Sequence, residues 1–217
     1  MGAGAWMTFR ESPPAYLENW QTGAEGERKT ARRLRRLDSA RWFVVHDIEN
    51  GRGNYDHVLI SPAGVFLLDS KYLLGDTYLR DGELRLRRRH DPESDRPLPS
   101  VRRGALAGAA RLHEQLRELT GERTWVQAVV VLWCPFEPAV HEDQRIVLLS
   151  ASQLIDWLER RPKRLAPDVV DRHRAAVEQL AARGSSGRAR RASVPSVTRA
   201  GAVSARGCDR AGIAPLP

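Results

Sequence analysis

The alternation of apolar and polar residues predicts an α/β chain with its strands between residues 41 and 149. Residues 55–71 form two apolar runs separated by a tight turn at 61–64, the pattern of a β-hairpin. Residues 124–133 are apolar at almost every position, which predicts a central strand covered on both faces. Further strands are predicted at 41–48, 77–80, 83–87 and 146–149.

Helical periodicity predicts the elements that cover this sheet. Amphipathic spacing indicates helices at 23–37, 102–119, 150–160 and 167–183. In the first helix, Thr22 and Glu25 have the spacing of a capping box, which predicts that the helix begins there. The charged, proline-rich segment 88–100 is predicted to be a loop.

The same patterns divide the chain into three parts. Residues 1–21 contain a proline pair and scattered aromatic residues, and are predicted to be an irregular N-terminal arm. Residues 22–183 are predicted to form one globular domain. Residues 184–217 are rich in Gly, Ser, Ala, Arg and Pro without periodicity, which predicts a disordered basic tail.

Composition narrows the class of protein. The net charge is +8, but the tail holds six arginines and one aspartate, so the body is only mildly basic. Basic character alone is therefore weak support for a nucleic-acid partner. The two widely separated cysteines argue against a disulfide framework and a zinc knuckle. Because no apolar run approaches the ~20 residues of a membrane span, we expect a soluble, cytoplasmic protein without a membrane partner.

The hairpin carries charged residues where a buried hairpin should have none. Alternation along a strand places Asp69 and Lys71 on one face of the second strand. If the two strands pair across the turn, Asp56 at the start of the first strand lies opposite them. Two acidic oxygen donors and one amine then meet at one end of the sheet. This combination suits a hard divalent cation with a general base beside it.

Two further observations single out this region. Glu27 falls in the middle of the apolar stripe of the first predicted helix, and a buried carboxylate is costly unless it is paired or metal-bound. Of the 35 basic residues only Lys29, Lys71 and Lys163 are lysine. A lysine at position 71 is thus an exception, and lysine, unlike arginine, gives up its proton when desolvated.

These residues carry a resemblance to a known family. Gly23-x-x-Gly26-Glu27, the run 54–66, Asp69-x-Lys71 and Gly75 resemble the nuclease-related domain (NERD) of the PD-(D/E)XK nuclease superfamily over about residues 20–135. The resemblance implies a restriction-endonuclease-like αβββαβ core. In such a core a mixed central sheet is flanked by helices, and the active site lies on the central hairpin.

The resemblance also implies roles for individual residues. Asp56 and Asp69 are expected as metal ligands, Glu27 as the assisting acid of the first helix, and Lys71 as the catalytic lysine. The backbone carbonyl of Ser70 is expected to reach the metal as well. The implied activity is hydrolysis of DNA phosphodiester bonds with Mg²⁺ or Mn²⁺ as cofactor.

The chain departs from the family pattern in two places. The family more often has glutamate at the position of Asp69, and a glutamine normally leads into the second helix. Here 96–103 contains no glutamine, so Arg102 and Arg103 are the candidates for contacting phosphate instead.

The sequence leaves two other interpretations open. One is a binding module for nucleic acid or protein that has kept the nuclease fold, and the other is a purely structural ion network formed by the four inward polar groups. Alternation directs His57 away from Asp56, which favours a core or surface histidine over a metal ligand. The triplet His141-Glu142-Asp143 has the residue types of a metal cluster but is predicted to be a solvated loop, and the arginine run at 87–89 a solvated hairpin end. The oligomeric state has no signature in the sequence.

Overall fold

The computed structural model describes the backbone of residues 15–51, 53–88 and 91–192, and the side chains of 23–51, 53–88 and 93–184. Residues 1–14 of the predicted arm and 193–217 of the predicted tail lie outside the described residues. Within the described part of the chain, no helix is long and apolar enough to span a membrane.

Four α-helices and ten strands make up the described fold. The helices are α1 (Ala15–Leu34), α2 (Pro99–Thr120), α3 (Leu154–Glu159, preceded by a 3-10 turn at Ala151–Gln153) and α4 (Pro167–Ala192). The strands are β1 (Phe43–Glu49), β2 (Asn54–Ser61), β3 (Gly64–Lys71), β4 (Asp76–Arg80), β5 (Glu83–Arg88), β6 (Asp91–Pro97), β7 (Val126–Leu132), β8 (Phe136–Glu137), β9 (Val140–Glu142) and β10 (Ile146–Ser150).

The central feature is a six-stranded mixed sheet with the order β1-β2-β3-β7-β10-β9. β1, β2 and β3 are antiparallel neighbours, whereas β3, β7 and β10 run parallel. Because α2 connects the hairpin layer to β7, the order α1-β1-β2-β3-α2-β7 is the predicted αβββαβ core. The predicted fold class is confirmed, and β7 is the central strand that its apolar run indicated.

The two faces of the sheet are covered by different helices. Val65 and Leu67 of β3 belong to the core beneath α2 and α4, while Phe66 and Leu68 belong to the core on the side of α1 and α3. This alternation decides where the polar residues at the end of β3 point. Ser70 faces the α1 side, and Asp69 and Lys71 face the other side.

A second sheet has the order β6-β5-β4-β8, and its strands β4, β5 and β6 are inserted between β3 and α2. β4 follows β3, and β8 follows β7 and pairs with β4, so this sheet lies beyond the carboxyl ends of those two strands. The prediction of a loop at 88–100 was wrong, because β6 pairs with β5 there and α2 already begins at Pro99. β6 is an edge strand, the position in a sheet that tolerates proline.

Two helices are longer than predicted. α1 begins at Ala15 rather than at residue 23, so Thr22 lies inside the helix and residues 15–21 are not an irregular arm. α4 continues to Ala192, nine residues into the predicted tail. The α1 extension contains Ala, Leu, Glu and Gln, and the α4 extension contains Ala and Arg, which are residues of high helix propensity. In α4 these residues outweigh the glycine and serine content that suggested a boundary.

We expect Gly75→Ala to destabilise the fold by about 2–4 kcal/mol. Gly75 has a φ of 154°, and a Cβ there would collide with the carbonyl oxygen of Arg87 and lie 2.9 Å from a methyl group of Leu86. Gly104→Ala is the matched control, because a Cβ at that helical position meets nothing within 4 Å. Urea unfolding of both variants measures the difference, and equal losses of stability would contradict the steric explanation.

Candidate active site

The β2–β3 pairing brings the two predicted metal ligands to the same end of the hairpin. His57 pairs with Leu68, so Asp56 and Asp69 occupy opposing positions one residue further along the strands. At this end the backbone N–H of Ser70 donates a 2.8 Å hydrogen bond to the Asp56 carboxylate. The Asp56 side chain thus accepts the hydrogen bond that a main-chain carbonyl of β2 would otherwise accept from Ser70, at the point where the two strands separate.

The predicted catalytic lysine is paired with an acid of its own strand. The Lys71 Nζ lies 2.6 Å from Oδ1 of Asp69, and the two side chains are 33% and 21% exposed. Both side chains are therefore half-buried and still accessible from solvent. The pair lies on the sheet face predicted from alternation.

Glu27 reaches the same place because of the residue before it. A Cβ on Gly26 would lie 3.3 Å from the backbone nitrogen of Tyr72, tighter than most Cβ contacts, so only glycine lets α1 lie this close to the end of β3. The pKa of Glu27 is raised by burial and by the charges of Asp47 and Asp69, and lowered by Lys71. These influences place Glu27 within the electrostatic field of the hairpin acids.

The carboxyl group of Asp56 is the most perturbed acid of the site. Burial, the charge of Asp69 and the charge of Glu27 raise its pKa to about 7. The hydrogen bond from Ser70 and the charge of Lys71 oppose this rise without cancelling it. The site therefore carries more negative charge than its lysine offsets.

Asp47 is a member of this acidic group that the sequence analysis missed. The β1–β2 register pairs His46 with His57 and Ile48 with Tyr55, which sets Asp47 opposite Asp56. Its backbone has a φ of 55°, a conformation that aspartate tolerates better than most residues. The sequence did contain a signal for this residue. Alternation along the strand puts Asp47 on the same face as Val45, so an acid interrupts an otherwise apolar face.

A buried polar cluster on the α1 side anchors Ser70 from behind. The Ser70 hydroxyl donates to Oγ1 of Thr30 at 2.8 Å, and the Trp133 indole N–H donates to the same oxygen at 2.8 Å. Thr30 is fully buried. Because Ser70 holds Asp56 through its backbone, this cluster fixes the position of the acid site from the opposite side of the sheet.

His57 belongs to this cluster and not to the acid site. It is 2% exposed, and its Nε2 lies 3.3 Å from the Ser70 hydroxyl while its Nδ1 lies 2.8 Å from Nδ1 of His46. Burial and the neighbouring His46 lower the pKa of His57 to about 3, so it is neutral at ordinary pH. The prediction that His57 points away from Asp56 is confirmed.

The carbonyl of Ser70 has the orientation that its predicted role needs. The carbonyl of Lys71 accepts a hydrogen bond from Trp133, next to β7. Adjacent residues of a strand direct their backbone groups to opposite sides, so the N–H and carbonyl of Ser70 point toward β2 and Asp56. Metal binding through this carbonyl remains a prediction.

The residues predicted to contact phosphate have other neighbours. Arg102 forms an ion pair with Asp143, next to β10, and Arg103 is exposed on α2. Phosphate contact by either arginine remains a prediction. The prediction of a solvated loop at 141–143 was wrong. β9 includes residues 140–142, and Glu142 accepts hydrogen bonds from Trp157 and Arg161.

The donor set fits a hard cation in its chemistry. Asp56, Asp69 and the Ser70 carbonyl supply oxygen atoms, which Mg²⁺ and Mn²⁺ prefer, and a divalent cation would offset the excess negative charge. Among the residues that the structure describes, no three His, Cys, Asp or Glu side chains already converge tightly enough to hold a metal ion. The acids are grouped, but one oxygen of Asp69 is engaged by Lys71 and one of Asp56 by Ser70.

The architecture and the grouped acids define a nuclease-like α/β domain. The family model of the nuclease-related domain (NERD) matches residues 22–133, which include every predicted site residue. The chain belongs to the NERD family, which is assigned to the PD-(D/E)XK superfamily, whose nuclease-like domains generally use divalent metals. No curated protein and no solved structure matches the chain.

We expect the stability of the metal-free protein to fall with rising pH because of Asp56. Its pKa of about 7 in the fold exceeds the value of 3.8 that is ordinary for aspartate, so the folded state binds the proton more tightly than the unfolded state. This contribution is complete below pH ~4 and is lost as the pH rises toward 7. Asp56→Asn keeps an acceptor for Ser70, so the variant should gain on the order of 3 kcal/mol over wild type between pH 4 and 8.

Urea unfolding in EDTA at pH 4, 6 and 8 measures this difference. Asp81→Asn is the control, because the Asp81 side chain is 95% exposed. A stability difference between Asp56→Asn and wild type that does not change with pH would contradict the burial of a charged carboxylate.

Proposed function

We propose that this domain hydrolyses DNA phosphodiester bonds with Mg²⁺ or Mn²⁺ as cofactor. The observation that carries the proposal is the buried Asp56 carboxyl, whose pKa is raised to about 7 by burial and by acids beside Lys71. Structural ion networks normally balance their charges, whereas this one is left acidic. Membership in a nuclease-related family supports the same reaction class.

In this proposal Asp56, Asp69 and the Ser70 carbonyl hold the cation, and Glu27 assists from α1. What the cation supplies when bound is an acidified water and compensation for the negative charge of the reacting phosphate. The protein's own contribution is to keep the acids at one strand end. Asp56 would give up its proton when the cation binds, so metal binding should release protons near neutral pH.

Lys71 has the remaining chemical role. Its ammonium, 2.6 Å from Asp69 in the described structure, is a compact charge on a flexible stem. The ammonium would donate hydrogen bonds to a phosphate oxygen or orient the attacking water, and a cation held by Asp69 would supply positive charge to that carboxylate in its place. Arginine at this position would present a planar fork that cannot give up a proton.

A second candidate function is favoured by one observation. Lys71 is paired with Oδ1 of Asp69, one of the oxygen atoms proposed to bind the metal. Among the described side chains, no three His, Cys, Asp or Glu residues form a group that could hold a metal ion. A domain that binds nucleic acid without cleaving it would be compatible with such a paired site. The two candidates differ in turnover and not in fold.

We expect the purified protein to cleave DNA in the presence of Mg²⁺ or Mn²⁺. Lys71→Ala should reduce the rate by at least ~100-fold, because it removes the proton donor of the site. Asp56→Asn should abolish metal-dependent cleavage, since it removes a charged ligand. Lys163→Ala is the matched control, because Lys163 is an exposed lysine outside the site, and this variant should cleave like wild type.

The rate is measured on linear and single-stranded DNA, with thermal unfolding as a check on the fold. Undiminished cleavage by folded Lys71→Ala and Asp56→Asn would refute the assignment of the site. Salt-sensitive DNA binding without cleavage by wild type would establish the binding module instead. The absence of Mn²⁺ binding at millimolar metal in calorimetry would point to a structural ion network.

A further inference from the structure

The outward side of α1 carries a cluster of exposed arginines. At 100° per residue, four of them lie within about 100° of one another around the helix axis. These residues are Arg28, Arg32, Arg35 and Arg36, and we call them the α1 arginine face. All four are exposed, including Arg35 and Arg36 in the turn that follows the helix.

The α1 arginine face differs in its pairing from several other arginines of the protein. These arginines form ion pairs with carboxylates: Arg41 with Glu159, Arg85 with Asp95, Arg102 with Asp143, Arg117 with Glu114, Arg161 with Glu142, and Arg172 with Glu122. Among the described residues, no carboxylate forms an ion pair with a member of the α1 arginine face. The nearby acid Glu25 pairs with Lys29 instead, at 2.8 Å.

Such a cluster opposes folding of the helix. Arg28 and Arg32 lie four residues apart within the helix, and like charges at that spacing repel. The helix dipole favours cations near the C-terminus, but this accounts only for those beside Leu34. Arg28 lies more than a turn earlier and gains nothing from it. No described carboxylate compensates the repulsion between these arginines, and the binding of a polyanion would offset it.

The α1 arginine face and the candidate active site share one helix. Arg28 follows Glu27 on the same helix turn. The Lys29 ammonium lies 4.2 Å from the ring centre of Tyr72, and Tyr72 follows Lys71. α1 therefore carries the α1 arginine face on its outer side and approaches the acid site with Glu27 and Lys29, where it crosses the end of β3.

We propose that the α1 arginine face binds the sugar-phosphate backbone of double-stranded DNA beside the active site. The inference rests on the proposed function, because it takes DNA as the ligand of the same site. Arg28 to Arg36 spans ~12 Å along the helix axis, the rise of three to four nucleotides in one strand of B-DNA. Phosphate contacts of this kind orient the duplex without reading its sequence.

A membrane surface is the competing polyanion. Peripheral helices that bind lipid combine a basic side with exposed apolar residues. The exposed large apolar side chains of the described residues are Leu74 and Trp125, and neither lies on α1. On the part of α1 whose side chains the structure describes, residues 23–34, no exposed large apolar side chain accompanies the α1 arginine face, which favours DNA.

The test is the salt dependence of DNA binding by the full chain in EDTA. Fluorescence anisotropy with a 24-base-pair duplex is measured between 50 and 200 mM KCl for wild type and for the triple variant Arg28→Gln, Arg32→Gln, Arg36→Gln. Loss of three phosphate contacts should make the slope of log affinity against log salt less negative by ~2.7. Between these salt concentrations, wild type should then lose about 40-fold more affinity than the variant.

A second triple variant separates location from net charge. Arg123→Gln, Arg145→Gln and Arg160→Gln removes the same number of exposed charges. Arg123 and Arg145 precede β7 and β10, at the strand ends opposite to the acid site. This variant should bind like wild type, and an equal loss in both triple variants would overturn the proposal.

Stability provides an independent reading. Removing the like-charge repulsion should raise the unfolding temperature of the α1 variant at low salt. A lower unfolding temperature together with lost binding would assign the arginines to the fold and overturn the proposal. Equal or stronger binding of the wild type to phosphatidylserine vesicles, abolished in the α1 variant, would assign the surface to membranes and overturn it as well.

The outcome is separable from that of the cleavage assay, because binding in EDTA needs no turnover. If wild type binds DNA through the α1 arginine face but does not cleave it, the binding proposal is supported and the hydrolysis proposal fails. If wild type cleaves DNA and the α1 variant binds DNA as well as wild type does, the hydrolysis proposal is supported and the binding proposal is overturned. If wild type does not bind the duplex at all, the binding proposal is also overturned.

Discussion

The burial of the Asp56 carboxyl between two separating strands is the constraint on which the site depends. The Ser70 N–H gives it one hydrogen bond, while Asp69 and Glu27 add negative charge nearby. A carboxylate in this position is costly unless a proton or a cation accompanies it. The fold tolerates this cost because Thr30 holds Ser70 from the opposite face of the sheet. Packing on one side thus maintains an electrostatically unfavourable arrangement on the other.

Helix α1 connects the structural and the functional parts of the domain. Its inner side supplies Gly26 for close approach, Glu27 for the acid group and Thr30 for the polar cluster. Its outer side carries arginines that no described carboxylate neutralises. A single helix therefore places negative charge inside and positive charge outside within a few residues. This separation is compatible with the site proposed above for an anionic substrate and a cationic cofactor.

The hairpin and the central strand could be predicted because their signals are local. The tight turn and the apolar runs specify β2 and β3, and the continuous apolar run specifies β7. β6 was missed because the pairing that makes it a strand comes from β5, while its own residues are charged and proline-rich. Asp47 was missed for a similar reason, since only the β1–β2 register sets it opposite Asp56.

By itself, the sequence determined the family, the αβββαβ order and the identity of the acids and lysine at the hairpin end. These properties follow from residue type and spacing along one or two elements. Only the tertiary structure decided how α1 meets β3, which carboxyl is most buried, and which arginines lack a carboxylate partner. Close approach, burial and ion pairing depend on segments far apart in the chain, and periodicity carries no information about their contacts.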